Sequence, residues 1–185
     1  ILQYKASLSN GCFETDVHFF ENKVVSAHEM EIDTDLKLGD FLKSSYQKNT
    51  LWLDSKNLHE EKNCNSAFKW LKQNANSFLS LLVELPTISI ENINNEGWKS
   101  CVNEINEIEN VQVGYYLPTD ILQKCSNSKI NKLECKKQFS EISNFLKDIK
   151  INSITFDNLG YSFIKTNNLF KDYKWHIWNV NSLES

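Results

Sequence analysis

Phe13-Glu14-Thr15-Asp16-Val17 alternates apolar and polar residues, which is the period of a strand. Glu21-Asn22-Lys23 reads as a turn, and Val24-Val25-Ser26-Ala27-His28 as a short strand that returns. Leu51-Trp52-Leu53 is a further apolar strand, and it runs into Asp54 and Lys56. Outward from this stretch, short apolar runs alternate with segments of helical spacing. Residues 1–9 read as the tail of a helix, stopped by Asn10-Gly11. Asp35 to Ser44, Ser66 to Ala75, Gly97 to Ile108 and Asn131 to Ile149 have helical spacing. Leu79 to Leu85, Val111 to Leu117, Ile151 to Phe156 and Lys174 to Val180 read as strands. Pro86 and Pro118 stop the first two of these.

Strands alternating with helices predict an α/β fold with a parallel sheet. The strands are short and apolar, as expected when both faces are covered. Two architectures fit, a doubly wound sheet and a (β/α)8-type barrel. Both gather functional residues at the carboxyl ends of the strands. No glycine-rich phosphate loop follows any strand, so neither a dinucleotide fingerprint nor a P-loop is present. No linker composition interrupts the chain, and one domain over residues 1–185 is expected.

The 185 residues are 41% hydrophobic, enough for a sizeable core, and the formal net charge is -4. That balance argues against a nucleic-acid partner, which needs a concentrated basic surface. No apolar run is long enough for a transmembrane segment, and the first residues have no signal-peptide layout. The five cysteines, Cys12, Cys64, Cys101, Cys125 and Cys135, include no Cys-x-x-Cys pair. The odd count and scatter predict no disulfide framework, a reducing compartment and a cytoplasmic location. No Asn-x-Ser/Thr sequon occurs. Every basic residue is lysine, so a bound phosphate must be met by Lys, His, backbone or a metal rather than by a guanidinium fork.

Several strands end in chemistry-bearing residues. Glu14 and Asp16 lie two apart on one strand face. Two hard oxygen donors so placed can share Mg2+ or Ca2+. Asp54 offers a third oxygen ligand, and Lys56 a charge that stabilises a developing oxyanion. His28 can transfer a proton near neutral pH. Each has an ordinary alternative: a solvated strand face for the carboxylates, a structural role for His28 and a surface ion pair for Asp54 and Lys56. Glu84, Tyr115 or Tyr116, and Asp157 with Asn158 end later strands, where a pocket wall is expected. The tyrosines fit core or rim packing equally well. His18 is in phase with Glu14 and Asp16. His59 and His176 read as structural or exposed, and Trp52, Trp70 and Trp98 as core packing.

The joint order of Glu14-Thr15-Asp16, the hairpin ending at His28, and Asp54-Ser55-Lys56 resembles the glycerophosphodiester phosphodiesterase-like barrel family. That family includes the sphingomyelinase D-like phospholipases. Trp175-His176-Ile177-Trp178-Asn179-Val180-Asn181 resembles the family's Trp-Thr-Val-Asn/Asp strand and puts Trp178 at the pocket. The resemblance covers most of the chain in element order, but its motifs occupy about a tenth of it. It implies a (β/α)8 TIM-barrel-like fold that lacks the first and last strands in this chain. It implies a metal-dependent phosphodiesterase acting on a glycerophosphodiester or lysophospholipid-like substrate. Glu14, Asp16 and Asp54 would bind one divalent cation, Mg2+ or Ca2+. His28 and Lys56 would be catalytic, and Glu84, Tyr116, Asp157 and Trp178 would bind substrate. In this family an internal hydroxyl can attack, giving a cyclic phosphate in place of hydrolysis. The family's second catalytic histidine sits on its first strand and has no counterpart here. The alternative is therefore a catalytically silent barrel that binds a phosphorylated ligand or a protein partner.

Overall fold

A computed structural model describes residues 12–21, 23–27, 50–87, 94–126 and 132–178. The expected helix Asp35–Ser44, the helix tail at residues 1–9 and His28 lie outside these residues. The chain divides into two compact units, Ile1–Val113 and Gly114–Ser185.

In the first unit, β1 (Cys12–Phe20) turns at Glu21 into β2 (Lys23–Ser26), its antiparallel partner, with Val17 opposite Ser26 and Phe20 opposite Lys23. Next come β3 (Thr50–Ser55), α1 (Glu61–Asn74), β4 (Ser80–Leu85) and α2 (Glu96–Asn106). The strand order is β2-β1-β3-β4, and β1-β3 and β3-β4 are parallel pairs. Alternation separates two faces. Val17, Phe19, Leu51, Leu53, Leu81 and Val83 are buried on one of them. This is the helix side, since the Phe19 ring meets Trp70 of α1 edge-on at 6.2 Å. Glu14, Asp16, Trp52, Asp54 and Glu84 have the opposite parity.

Trp98 is fully buried, and its Nε1 donates to the Leu58 carbonyl at 2.7 Å, which satisfies its polar edge. Its helix is started by Asn95, whose Oδ1 accepts from the Trp98 backbone N–H at 2.9 Å. α1 begins at Glu61 rather than at Ser66. Its first turn buries Asn63 and Cys64, a polar and a small residue that hide the apolar period.

β5 (Val111–Tyr116) carries the boundary between the units. The second unit continues with α3 (Thr119–Ser126), α4 (Lys132–Asp148), β6 (Ser153–Asp157), α5 (Tyr161–Thr166) and β7 (Lys174–Trp178). Its strand order is β5-β6-β7, all parallel. Phe139 of α4 packs against Phe163 at 5.9 Å and Phe170 at 6.0 Å. α4 ends in a Schellman turn: Ile151 N–H donates to Leu146 O at 2.8 Å, and Lys150 takes φ 55°. α3 and α5 are helices that the sequence reading did not contain.

The chain is thus a mixed α/β protein with seven described strands, one of them antiparallel. This corrects the expected TIM-barrel-like fold. A (β/α)8 barrel is a ring of eight parallel strands. Here the expected hairpin return, β2, pairs antiparallel with β1 and occupies the edge of β1 that a ring would need for a parallel neighbour.

The expectation of no disulfides is also corrected. Cys64 of α1 pairs with Cys101 of α2, and Cys125 of α3 pairs with Cys135 of α4. Both Cys64 and Cys101 are buried where the two helices pack, so tertiary contact brings together thiols 37 residues apart. By loop-closure entropy the first bridge contributes about 4 kcal/mol and the second about 3 kcal/mol. Prediction: in denaturant without reductant, a maleimide labels one cysteine, Cys12, and after reduction it labels all five. Five labels without reduction would remove both bridges.

Candidate functional site

The site grows from strand register. Asp16 on β1 is the neighbour of Asp54 on β3, and Asp54 is the neighbour of Glu84 on β4. Parallel neighbours in register point the same way, so three carboxyl groups form one row across three strands. Glu14 lies one step back along β1, beside Trp52. Glu84 is 6% exposed, and Asp16 and Asp54 are partly buried.

Lys56 follows β3 immediately, and its backbone N–H donates to Val17 O at 2.9 Å. That bond carries the β1-β3 ladder past the end of the strand. Its ammonium then lies 2.8 Å from Asp16 Oδ1 and 2.5 Å from Asp54 Oδ2. One cation therefore bridges two carboxylates from neighbouring strands.

The electrostatics follow from that sharing. Burial raises the Asp54 carboxyl above its usual 3.8. Lys56 pulls it down and the nearby Asp16 pushes it up, and the balance stays upward. Burial also disfavours the Lys56 ammonium, but its hydrogen bonds and charge attraction to Asp16 and Asp54 outweigh this, and the group ends above 10.5. The linkage then has a definite sign. The raised Asp54 favours the fold at acid pH, and that contribution is lost as pH rises through its folded value. The raised Lys56 favours the fold at all pH values below 10.5, and its contribution is lost as pH rises through its folded value.

Among the described residues, no group of three or more metal-ligating side chains is assembled to hold a metal ion. The cation between Asp16 and Asp54 is Lys56. Asp16 and Asp54 are hard oxygen donors of the kind a divalent ion takes, and Glu84 is the next carboxyl group in register.

His18 shares the phase of Glu14 and Asp16, is 6% exposed and stacks on Phe20 with ring centroids 6.2 Å apart. His59 is exposed beside Glu60.

Tyr116, Asp157 and Trp178 belong to the second unit, and Glu84 to the first. Asp157 and Trp178 are register neighbours on β6 and β7, and the Trp178 ring lies 6.3 Å from that of Tyr116. These three are brought together. The Tyr116 hydroxyl is 3.1 Å from Thr119 Oγ1, and Asp157 Oδ1 accepts from Leu159 N–H at 2.8 Å. Each is therefore partly committed to holding its own loop. His176, read from sequence as structural or exposed, is half-buried in register with Thr155, and burial and then Lys174 lower its pKa below 6.5.

Asn57 escaped the sequence reading. It is 9% exposed, and its side chain exchanges two hydrogen bonds with the Phe19 backbone. No local pattern signals this, since its partner is 38 residues away.

No protein-family model, curated protein or solved structure matches the chain.

Prediction: Lys56→Met leaves Asp16 and Asp54 facing each other without a counter-charge. The Asp54 carboxyl, followed by NMR, should titrate higher than in the wild type. Unfolding in urea at neutral pH should show a loss of about 1–3 kcal/mol. An unchanged Asp54 midpoint would mean that Lys56 does not bridge the pair.

Proposed function

We propose that the chain is a divalent-cation-dependent phosphodiesterase for a glycerophosphodiester or lysophospholipid-like substrate. The supporting observation is the Lys56 ammonium held between Asp16 and Asp54, register neighbours on parallel strands, with Asp54 and Lys56 at the carboxyl end of β3. Strand ends are where α/β folds place their chemistry. The resemblance to the glycerophosphodiester phosphodiesterase-like family supplies the substrate class.

In this reading Glu14, Asp16 and Asp54 hold one Mg2+ or Ca2+, with Glu84 adding negative charge on the next strand. When bound, the ion polarises a non-bridging phosphate oxygen. Lys56 delivers positive charge to the phosphate as the displaced oxygen departs, and its raised pKa keeps it protonated throughout the neutral range. His28 is the proton-transfer residue assigned from sequence.

A second reading rests on one observation. Lys56 is already satisfied by two carboxylates, which suits a binding domain that takes a phosphorylated ligand without turning it over. No described helix is long and apolar enough to cross a membrane. The two disulfides favour an oxidising compartment over the cytoplasm.

Prediction: the protein hydrolyses bis-p-nitrophenyl phosphate with Mg2+ or Ca2+ and stops in EDTA. Lys56→Met should lower kcat by about 100-fold. Asp16→Asn should abolish calorimetric metal binding and leave the circular dichroism spectrum unchanged. Absence of metal-dependent turnover on this substrate and on glycerophosphodiesters and lysophospholipids would leave the binding reading.

A further inference from the structure

We infer that Asn57 is a positioning residue for Lys56, locking the end of β3 onto β1 so that the ammonium reaches both carboxylates. The inference rests on the proposed role of Lys56, but its geometry stands independently. β3 ends at Ser55, yet its ladder with β1 continues for two more residues. Lys56 N–H donates to Val17 O at 2.9 Å. Asn57 then pairs through its side chain: Oδ1 accepts from Phe19 N–H at 2.9 Å, and Nδ2 donates to Phe19 O at 2.9 Å. A carboxamide is the side-chain group that offers an acceptor and a donor side by side, as a peptide unit does. It imitates a strand neighbour where the backbone has already turned away.

The clamp is itself held. Asn63 Nδ2 donates to Asn57 O at 3.2 Å and to Glu60 Oε2 at 3.1 Å. Trp98 Nε1 fixes the next carbonyl, that of Leu58. Asn57 and Asn63 are 9% and 6% exposed, so these bonds are shielded from competing water. Lys56 is thus gripped on both sides, by the β3 ladder before it and by a buried amide after it. A long, flexible lysine gains from such a grip. Both ion pairs require its Cα at one place between two strands, and an exposed loop would spread the ammonium over many rotamers.

A residue that only stabilises the loop and one that acts through Lys56 differ in coupling. Asn57→Ala, Lys56→Met and the double variant form a thermodynamic cycle. Two readouts are followed, the Asp54 carboxyl titration by NMR and kcat/KM on bis-p-nitrophenyl phosphate. Asn57→Ala should move the Asp54 midpoint upward, towards its value in Lys56→Met. It should lower kcat/KM by about 10- to 100-fold, mostly in kcat. The double variant should match Lys56→Met in both readouts. Additive effects, or an Asp54 midpoint unchanged in folded Asn57→Ala, would overturn the assignment. If the wild type shows no turnover, the proposed reaction fails while the titration cycle still decides the positioning role. If Asn57→Ala does not fold, amide hydrogen exchange in the wild type decides it. Phe19 N–H should be as protected as the β1 ladder amides, and exchange at the rate of an exposed turn amide would overturn the clamp.

Discussion

The structure turns on one ammonium shared by two carboxylates. Lys56 meets Asp16 and Asp54 only because β1 and β3 are parallel and in the register that sets these two aspartates side by side. A slip of one residue would turn Asp54 to the helix face and bring Leu53 out. The apolar residues that prevent the slip, Val17, Phe19, Leu51 and Leu53, are buried on the face where Phe19 meets Trp70 of α1. Core packing and site geometry are therefore one constraint. The hydrophobic face fixes the register, and the register assembles the charges.

The cost of that assembly shows in the protonation states. Asp16 and Asp54 are partly drawn out of water with Lys56 between them. Asp54, buried, holds its proton more tightly than usual, and Lys56, paired with both carboxylates, does the same. Structural ion pairs and functional sites both shift protonation in this way. The loop after β3 is held from both sides: the Asn57 side chain bonds the Phe19 backbone of β1, and Asn63 and Trp98 each donate to a loop carbonyl.

Part of this was legible in the sequence. Glu14-Thr15-Asp16 alternates cleanly, so their place on a strand could be read from period, and Asp54 and Lys56 follow a short apolar run that ends β3; that β1 runs on to Phe20 and leaves Asp16 in mid-strand could not. The row they form with Glu84 needed the register, which no local pattern carries. The cysteine reading failed because Cys64 and Cys101 are joined by helix packing rather than by spacing. α3 was missed because Pro118 reads as a strand stop, while its carbonyl also accepts from Leu122 N–H in the first turn of the next helix. The barrel expectation came from element order. Order does not tell how many strands a sheet contains, and the hairpin made one of the described strands antiparallel.

The claim that this carboxylate row receives a divalent cation can be tested by anomalous diffraction from crystals soaked in Mn2+. The account predicts an anomalous peak within coordination distance of Asp16 and Asp54, with the Lys56 ammonium moved off at least one of them. No peak at the row, with Lys56 still bridging both carboxylates at saturating Mn2+, would contradict it.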